Sequence, residues 1–289
     1  MVRPRRTSAD AGPDISLVMP CYNEEEVVGY TITRLLAAFE RSGYRLQIVA
    51  VDNGSHDGTG SILLDFAGRS RSVTSHRVEE NRGYGFGVRS GIPLCTAPWV
   101  GIIPADGQVD AEDVVRLYES VANAPGPVLA KVRRRFRMDG LLRKLVSVSY
   151  NLFVLALWPR LGTLDVNGSP KLVRRDLLLR LALVSDGWFF DPELMIKAHA
   201  LGVRTLELNV FARMRGAGLS HVRVGTCWEF FRDLLRYRFG IPLDRWRRGI
   251  ANESPARAAR SVEPASSPAL AVSIGTGGWR DAGSEQVTH

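Results

Sequence analysis

Apolar and polar positions divide most of the chain into alternating strand and helix signals. ISLVMP (15–20), apolar but for Ser16, reads as a buried strand. EEVVGYTITRLLAAFERSG follows with the three-to-four spacing of an amphipathic helix that stops at Gly43. LQIVAVD (46–52) predicts a second strand, NGSHDGT a turn, and GSILLDFAGR a second helix. VTSHRVEE reads as a third strand. Beyond the 81–87 loop come a helix towards Leu94, a fourth strand in WVGIIPAD, a helix in AEDVVRLYESVANA, and a fifth strand in VLAKV. This order predicts an α/β fold, a single Rossmann-like domain with a mostly parallel central sheet flanked by helices. In such folds ligands sit beyond the carboxyl ends of the strands. CYNEEE, DNGSHDGT and ADGQ fall at those ends.

Composition bounds the rest. The chain has 289 residues, 45% hydrophobic and 24% charged, enough for one sizeable core. Residues 1–13 and 250–289 read as disordered tails, the second rich in Ala, Ser, Pro and Gly, which leaves 14–249 as the folded domain. Three distant cysteines, Cys21, Cys95 and Cys227, exclude a disulfide scaffold and a cysteine zinc site, and suit a reducing cytosol. The basic N-terminus has no apolar segment behind it, so no secretory signal is expected. Expected localisation is cytoplasmic, or peripheral at the inner face of the cell membrane.

The net charge of +8 is concentrated. Residues 131–144 hold seven Lys/Arg against Asp139, and residues 232–248 hold six Arg against Asp233 and Asp244. These segments carry +6 and +4, so the remainder is about −2 (8 − 10). Local basicity of this kind implies anionic partners. The longest uncharged apolar run, at 145–159, has 15 residues and as a helix spans roughly 22 Å, short of a bilayer core of ~30 Å. A buried or interfacial helix is expected there. Basic residues before it, and the aromatics Trp228, Phe230, Phe231, Tyr237, Phe239 and Trp246 among later arginines, predict a membrane-surface contact near 140–160 and 226–248. The competing reading is a core helix with a basic edge.

Each polar motif has a local structural explanation to set beside a functional one. Asn23 and Glu24 suit a helix start, and Asp57 and Thr59 could cap the next helix. Asp52, at a strand end facing the expected cleft, has no such explanation. Gly83, Gly85 and Gly87 evoke a dinucleotide loop, but Val88 stands where the third glycine of that fingerprint belongs, and the loop follows the third strand rather than the first. Asp106 and Gln108 can both offer oxygen to a hard divalent cation that bridges phosphates. A nucleic-acid-binding module would account for the arginines. It leaves Asp52, Asp57, Asp106 and Asp165 unexplained, so no nucleic-acid partner is expected.

In order and spacing, P-x-Y-N-E, V-D-N-G-S-x-D-G-T, N-R-G and A-D-x-Q resemble the family 2 glycosyltransferases of GT-A fold. The nearest branch is the dolichyl-phosphate mannose synthase-like or polyprenyl-phosphate group, and the likeness covers about 15–240. It implies nucleotide contacts from Pro20, Tyr22, Glu24, Asp52, Asn81, Gly83 and Asp106, and Mg²⁺ or Mn²⁺ held by Asp106 and Gln108. It further implies a UDP-, GDP- or dTDP-linked donor and a lipid-phosphate or small-molecule acceptor. DVNGSPK (165–171) is similar to the family's acceptor-side loop, and GWFFDPEL (187–194) to the segment opening its last helix. Asp106, Asp165 and Asp191 are thereby the candidate catalytic carboxylates. Arg133, Arg135 and Lys171 become the candidate phosphate ligands, with Arg134 an equal neighbour. Two positions depart from the pattern: Asn53 replaces a second Asp, and Pro104 replaces the first Asp of the metal motif. Pro104 makes a catalytically impaired sugar-nucleotide binder the main rival.

Overall fold

The computed structural model describes residues 12–136, 141–163, 165–211, 224–240 and 242–252. The side chains of 134–148 and 211–230, Arg134 and Arg135 among them, lie outside the described set, as do most of both expected tails.

Seven strands form one sheet: β1 (Ile15–Cys21), β2 (Leu46–Asn53), β3 (Val73–Val78), β4 (Trp99–Ile102), β5 (Val128–Phe136), β6 (Lys171–Arg174) and β7 (Arg204–Phe211). Their order is β3-β2-β1-β4-β6-β5-β7. All pairings are parallel except those of β6, which runs antiparallel between β4 and β5. Strands β1 and β2 are mainly apolar and almost wholly buried, Ser16 and Gln47 being the polar residues within their runs, because both faces are covered. One layer contains α1 (Val28–Ser42), α2 (Thr59–Arg69) and α4 (Ala111–Val121); Val28, Ile32, Leu35 and Phe39 of α1 join Val114, Leu117 and Val121 of α4 in its core. On the opposite face lie α3 (Tyr84–Gly91), α5 (Leu141–Leu157), α6 (Arg175–Arg180), α7 (Phe190–Ala200), α8 (Val224–Phe239) and α9 (Pro242–Asn252).

The expected alternation is present as far as β5, with informative differences at element ends. β4 stops at Ile102 rather than running to Asp106. Ile103 still donates to the Val18 carbonyl at 3.0 Å, but Pro104 has no N–H to continue the ladder. β5 continues past Val132: Arg133 pairs with Asn209 and Arg134 with Val210 in β7, so the arginines expected beyond a strand lie within one. β6 has no counterpart in the pattern reading. Its four residues, KLVR, are too few to show a period.

Candidate active site

The order of strands reverses between β1 and β4, and the loops at their carboxyl ends flank the crevice where ligands of such sheets bind. The loop after β1 carries Tyr22, Asn23 and Glu24. The loop after β4 carries Asp106, Gly107 and Gln108. Thr31 of α1 donates to the Ala105 carbonyl at 2.8 Å and so fastens one side of the crevice to the other.

The loops after β1 and β2 are joined to each other. The Asn23 N–H donates to Ser55 Oγ at 3.1 Å, and Asn23 Oδ1 accepts the His56 N–H at 2.9 Å. The Glu24 N–H donates to Thr59 Oγ1 at 2.9 Å, and the Gly58 N–H to Glu25 Oε2 at 2.6 Å. Asn23 sits at φ 53°, a left-handed conformation that Asn tolerates better than most residues. Asp57 is desolvated, which by itself raises its pKa. Hydrogen bonds from the Thr59 hydroxyl and nearby amides outweigh that and hold it below the ordinary carboxylate value. The Tyr22 ring meets His56 edge-on at 6.5 Å. The capping explanation fails for Asn23, since α1 begins only at Val28 without a side-chain cap and the Asn23 side chain serves the β2 loop. Asp57 accepts the Thr59 N–H at 3.0 Å at the start of α2 and the Glu25 N–H at 3.2 Å from the neighbouring loop.

Asp52 is 1% exposed and both its oxygens are engaged. Oδ1 accepts the Ser55 N–H at 2.9 Å, and Oδ2 binds Arg77 Nη1 at 2.5 Å. Arg77 stands opposite Asp52 in the β2–β3 register and is about half exposed. A direct contact from Asp52 to a nucleoside would require Arg77 to move. Pattern reading passed over Arg77, since its role depends on cross-strand pairing. The clue was a cation beside a strand-end acid on adjacent parallel strands.

Asn81 is exposed; its Oδ1 accepts the Gly83 N–H at 2.9 Å, while Asn53 Nδ2 donates to the Gly83 carbonyl at 3.0 Å. The glycines here serve packing. A Cβ on Gly83, whose φ is 113°, would lie 2.5 Å from the Asp186 carbonyl oxygen, and one on Gly85 would collide with that of Ser185. Their absence lets α3 sit against the 184–187 segment, where Phe86 N–H donates to the Asp186 carbonyl at 2.9 Å. Loop glycines that looked free to approach a ligand approach the chain instead.

Asp106 is half-buried, and its Oδ1 accepts the Gln108 N–H at 3.1 Å, closing a tight turn at Gly107. Pro104 lines a shallow cleft with Tyr30, Arg34, Val109 and Asp110 on the α1–α4 side. Among the described residues no three His, Cys, Asp or Glu side chains converge as a metal cage. A hard divalent cation that keeps most of its shell as water and substrate phosphate needs only one or two protein oxygens. Asp106 and Gln108 can supply them.

Lys171, Asp191 and Asp165 lie in a second cluster around Lys131, on and beside β5 and β6. The buried Lys171 donates to Asp191 Oδ1 at 2.8 Å. A phosphate contact by Lys171 would have to open this pair. The buried Lys131 donates to Thr163 Oγ1 and Glu207 Oε1, both at 3.2 Å, and closely to the Asp165 carbonyl. Asp165 itself is half-buried, and its N–H donates to Thr163 Oγ1 at 3.2 Å. Burial, and then the neighbouring Lys171 charge, pull Lys131 down to about 8 against the attraction of Asp165 and Glu207. Arg133 shares the Lys131 face of β5 by strand alternation. Lys131 and Glu207 were not expected as a pair, because 76 residues separate them. α7 is buried from Phe190 to Ala198, and its charges are matched: Glu193 accepts the Val184 and Ser185 N–H groups and binds Lys197 at 2.7 Å. Glu193 is thus a structural anchor for the 184–185 backbone. Beside this cluster Trp188, 40% exposed, stacks on Tyr84 at 5.3 Å.

With this geometry in view, similarity to known proteins is specific. Residues 16–181 match the family model "Glycosyl transferase family 2". An uncharacterized glycosyltransferase of Mycobacterium tuberculosis is 31% identical over 212 residues, covering 73% of this chain and 91% of that protein. The chain therefore belongs to glycosyltransferase family 2, and it is a nucleotide-sugar-dependent glycosyltransferase. Undecaprenyl-phosphate 4-deoxy-4-formamido-L-arabinose transferase of Pectobacterium atrosepticum is 28% identical over 231 residues, 80% of this chain and 69% of that enzyme. Among solved structures, glucosyl-3-phosphoglycerate synthase from M. tuberculosis, in complex with Mn²⁺, UDP and phosphoglyceric acid, superposes with a TM-score of 0.62. It is 23% identical, and the match covers 80% of each chain. Its likeness establishes the GT-A fold.

Proposed function

We propose that this enzyme transfers a sugar, with inversion, from a nucleoside diphosphate to a polyprenyl phosphate. The observation that supports it best is the gathering of the family's motif loops about the β1–β4 crevice, with Asp106 and Gln108 on one side and Tyr22 and Glu24 on the other. Similarity over 80% of the chain to an undecaprenyl-phosphate transferase supports the lipid acceptor.

Pro20 and Tyr22, with Glu24, flank the nucleoside on the β1 side. Arg77, oriented by Asp52, approaches it from β3. Asn81 and Gly83 close the far end. Asp106 and Gln108 hold Mg²⁺ or Mn²⁺, which when bound neutralises the charge that develops on the departing diphosphate. Arg133 and Arg135 of β5 meet phosphate. Lys171 and Asp191 act as a buried pair that fixes β6 against α7. A lipid phosphate is already an ionised nucleophile near neutral pH and needs no general base. Transfer to a hydroxyl of a soluble metabolite is the second reading, in which Asp165, half-buried beside the Lys131 charge, serves as the base.

The deciding experiment supplies radiolabelled UDP-, GDP- and dTDP-sugars with undecaprenyl phosphate, or with phosphoglycerate, in the presence of Mn²⁺. Label extracted into chloroform only with the lipid acceptor is the expected result. Label found only in a water-soluble product would overturn the lipid reading.

A further inference from the structure

The outer face of α8 combines two exposed apolar side chains with two cations. Helical spacing places Leu234 and Tyr237 inward, where both are buried, and it places Arg232, Leu235, Arg236 and Phe239 together on the opposite side. Phe239 is 74% exposed, the most exposed large apolar side chain among the described residues, and Leu235 is 43% exposed. α9 adds Arg245, Arg247 and Arg248, all exposed, while its Leu243 is buried and Trp246 turns inward over the Lys197 ammonium at 5.2 Å. The α8 inner face is firmly seated. Phe231 packs on Phe153 of α5 at 5.0 Å, and Tyr237 on Phe189 at 5.1 Å. The outward residues are therefore left over after the core has been satisfied.

We infer that this α8–α9 face docks on an anionic lipid bilayer, with Phe239 and Leu235 entering the acyl boundary and the arginines meeting headgroup phosphates. The inference rests on the lipid-acceptor reading above and names the surface on which that acceptor is met. Charge selects the occupant. A second copy of the chain would bring arginine against arginine across a two-fold interface. A nucleic acid would satisfy the arginines but give Leu235 and Phe239 no apolar surroundings. An anionic bilayer satisfies both. The placement also suits transfer, because Phe189, against which Tyr237 packs, lies between the exposed Trp188 and Asp191.

The test is sedimentation of the full-length chain with phosphatidylglycerol-containing vesicles and with pure phosphatidylcholine vesicles. It compares wild type with Leu235→Ser/Phe239→Ser and with Arg232→Gln/Arg236→Gln. Wild type is expected to partition onto the anionic vesicles and to lose binding as salt is raised. Each double variant should lose about tenfold or more, with nucleotide-sugar binding in solution unchanged as evidence of an intact fold. Absence of wild-type binding at low salt would overturn the proposal. So would variants that partition like wild type, binding to duplex DNA that survives Leu235→Ser/Phe239→Ser, or a dimer that this variant dissociates. Vesicle binding that follows these residues, without any transfer to polyprenyl phosphate, would uphold the docking face and remove the acceptor assignment.

Discussion

At the scale of single residues, the site is organised by paired charges more than by isolated carboxylates. Asp52 is committed to Arg77, Asp191 to Lys171, Glu193 to Lys197, and Glu207 to Lys131. Three of these pairs join residues far apart in the chain, which is why Asp52, Asp191 and Lys171 were legible as motif members while Arg77, Lys131 and Glu207, and the pairings themselves, were not. A strand-end Asp announces itself by position, whereas Arg77 and Lys131 acquire roles only when the register is known. Lys131 gives a test of the second cluster. Held at about 8 in the folded chain against an ordinary 10.5, it keeps its proton longer when unfolded. Between about pH 8 and 10.5 the unfolded state binds more protons at this group, so its contribution to folding stability rises with pH. Urea denaturation of wild type and Lys131→Met on either side of that lower value should show the wild-type stability gaining on the variant's as pH rises. Parallel pH dependences would show that Lys131 is not desolvated as described.

Among elements, α3 shows how a motif can be legible and its meaning not. The N-R-G-Y-G-F-G run marks a glycine-rich helix start in sequence, but nothing local reveals that the 184–187 backbone, a hundred residues on, occupies the space the glycines leave. Gly85→Ala drives a methyl group into the Ser185 carbonyl, so a loss of about 1–3 kcal/mol is expected on denaturation. Gly68→Ala in α2 meets no atom within 4 Å and should gain roughly 0.5–1 kcal/mol. Equal effects would contradict the close packing of α3. The early strands were readable because parallel strands buried on both faces are plain apolar runs. β6 was missed for its shortness. β4 was overextended because apolar character continues through Ala105, past the point where Pro104 ends the hydrogen-bond ladder.

For the whole molecule, the same topology accounts for both the site and the surface. The β1–β4 reversal opens the crevice, and the antiparallel β6 places Lys171 beside α7. Helix α8, seated on α5 through Phe153 and Phe231, turns Arg232, Leu235, Arg236 and Phe239 outward. No helix among the described residues is long and apolar enough to cross a membrane. The charge segregation seen along the chain thus becomes a spatial one: acids line the strand ends and arginines mark the α8–α9 flank. The proposed function requires the crevice to bind a nucleotide sugar through a cation on Asp106, although Pro104 stands in place of the motif's first acid. Calorimetric titration of wild type and Asp106→Ala with UDP-, GDP- and dTDP-sugars, each with and without Mn²⁺, tests it most directly. One nucleotide binding wild type only with metal, and Asp106→Ala at least about tenfold more weakly (~1.4 kcal/mol), is the predicted result. Equal affinity with and without metal in both proteins, or no binding of any nucleotide sugar, would contradict it.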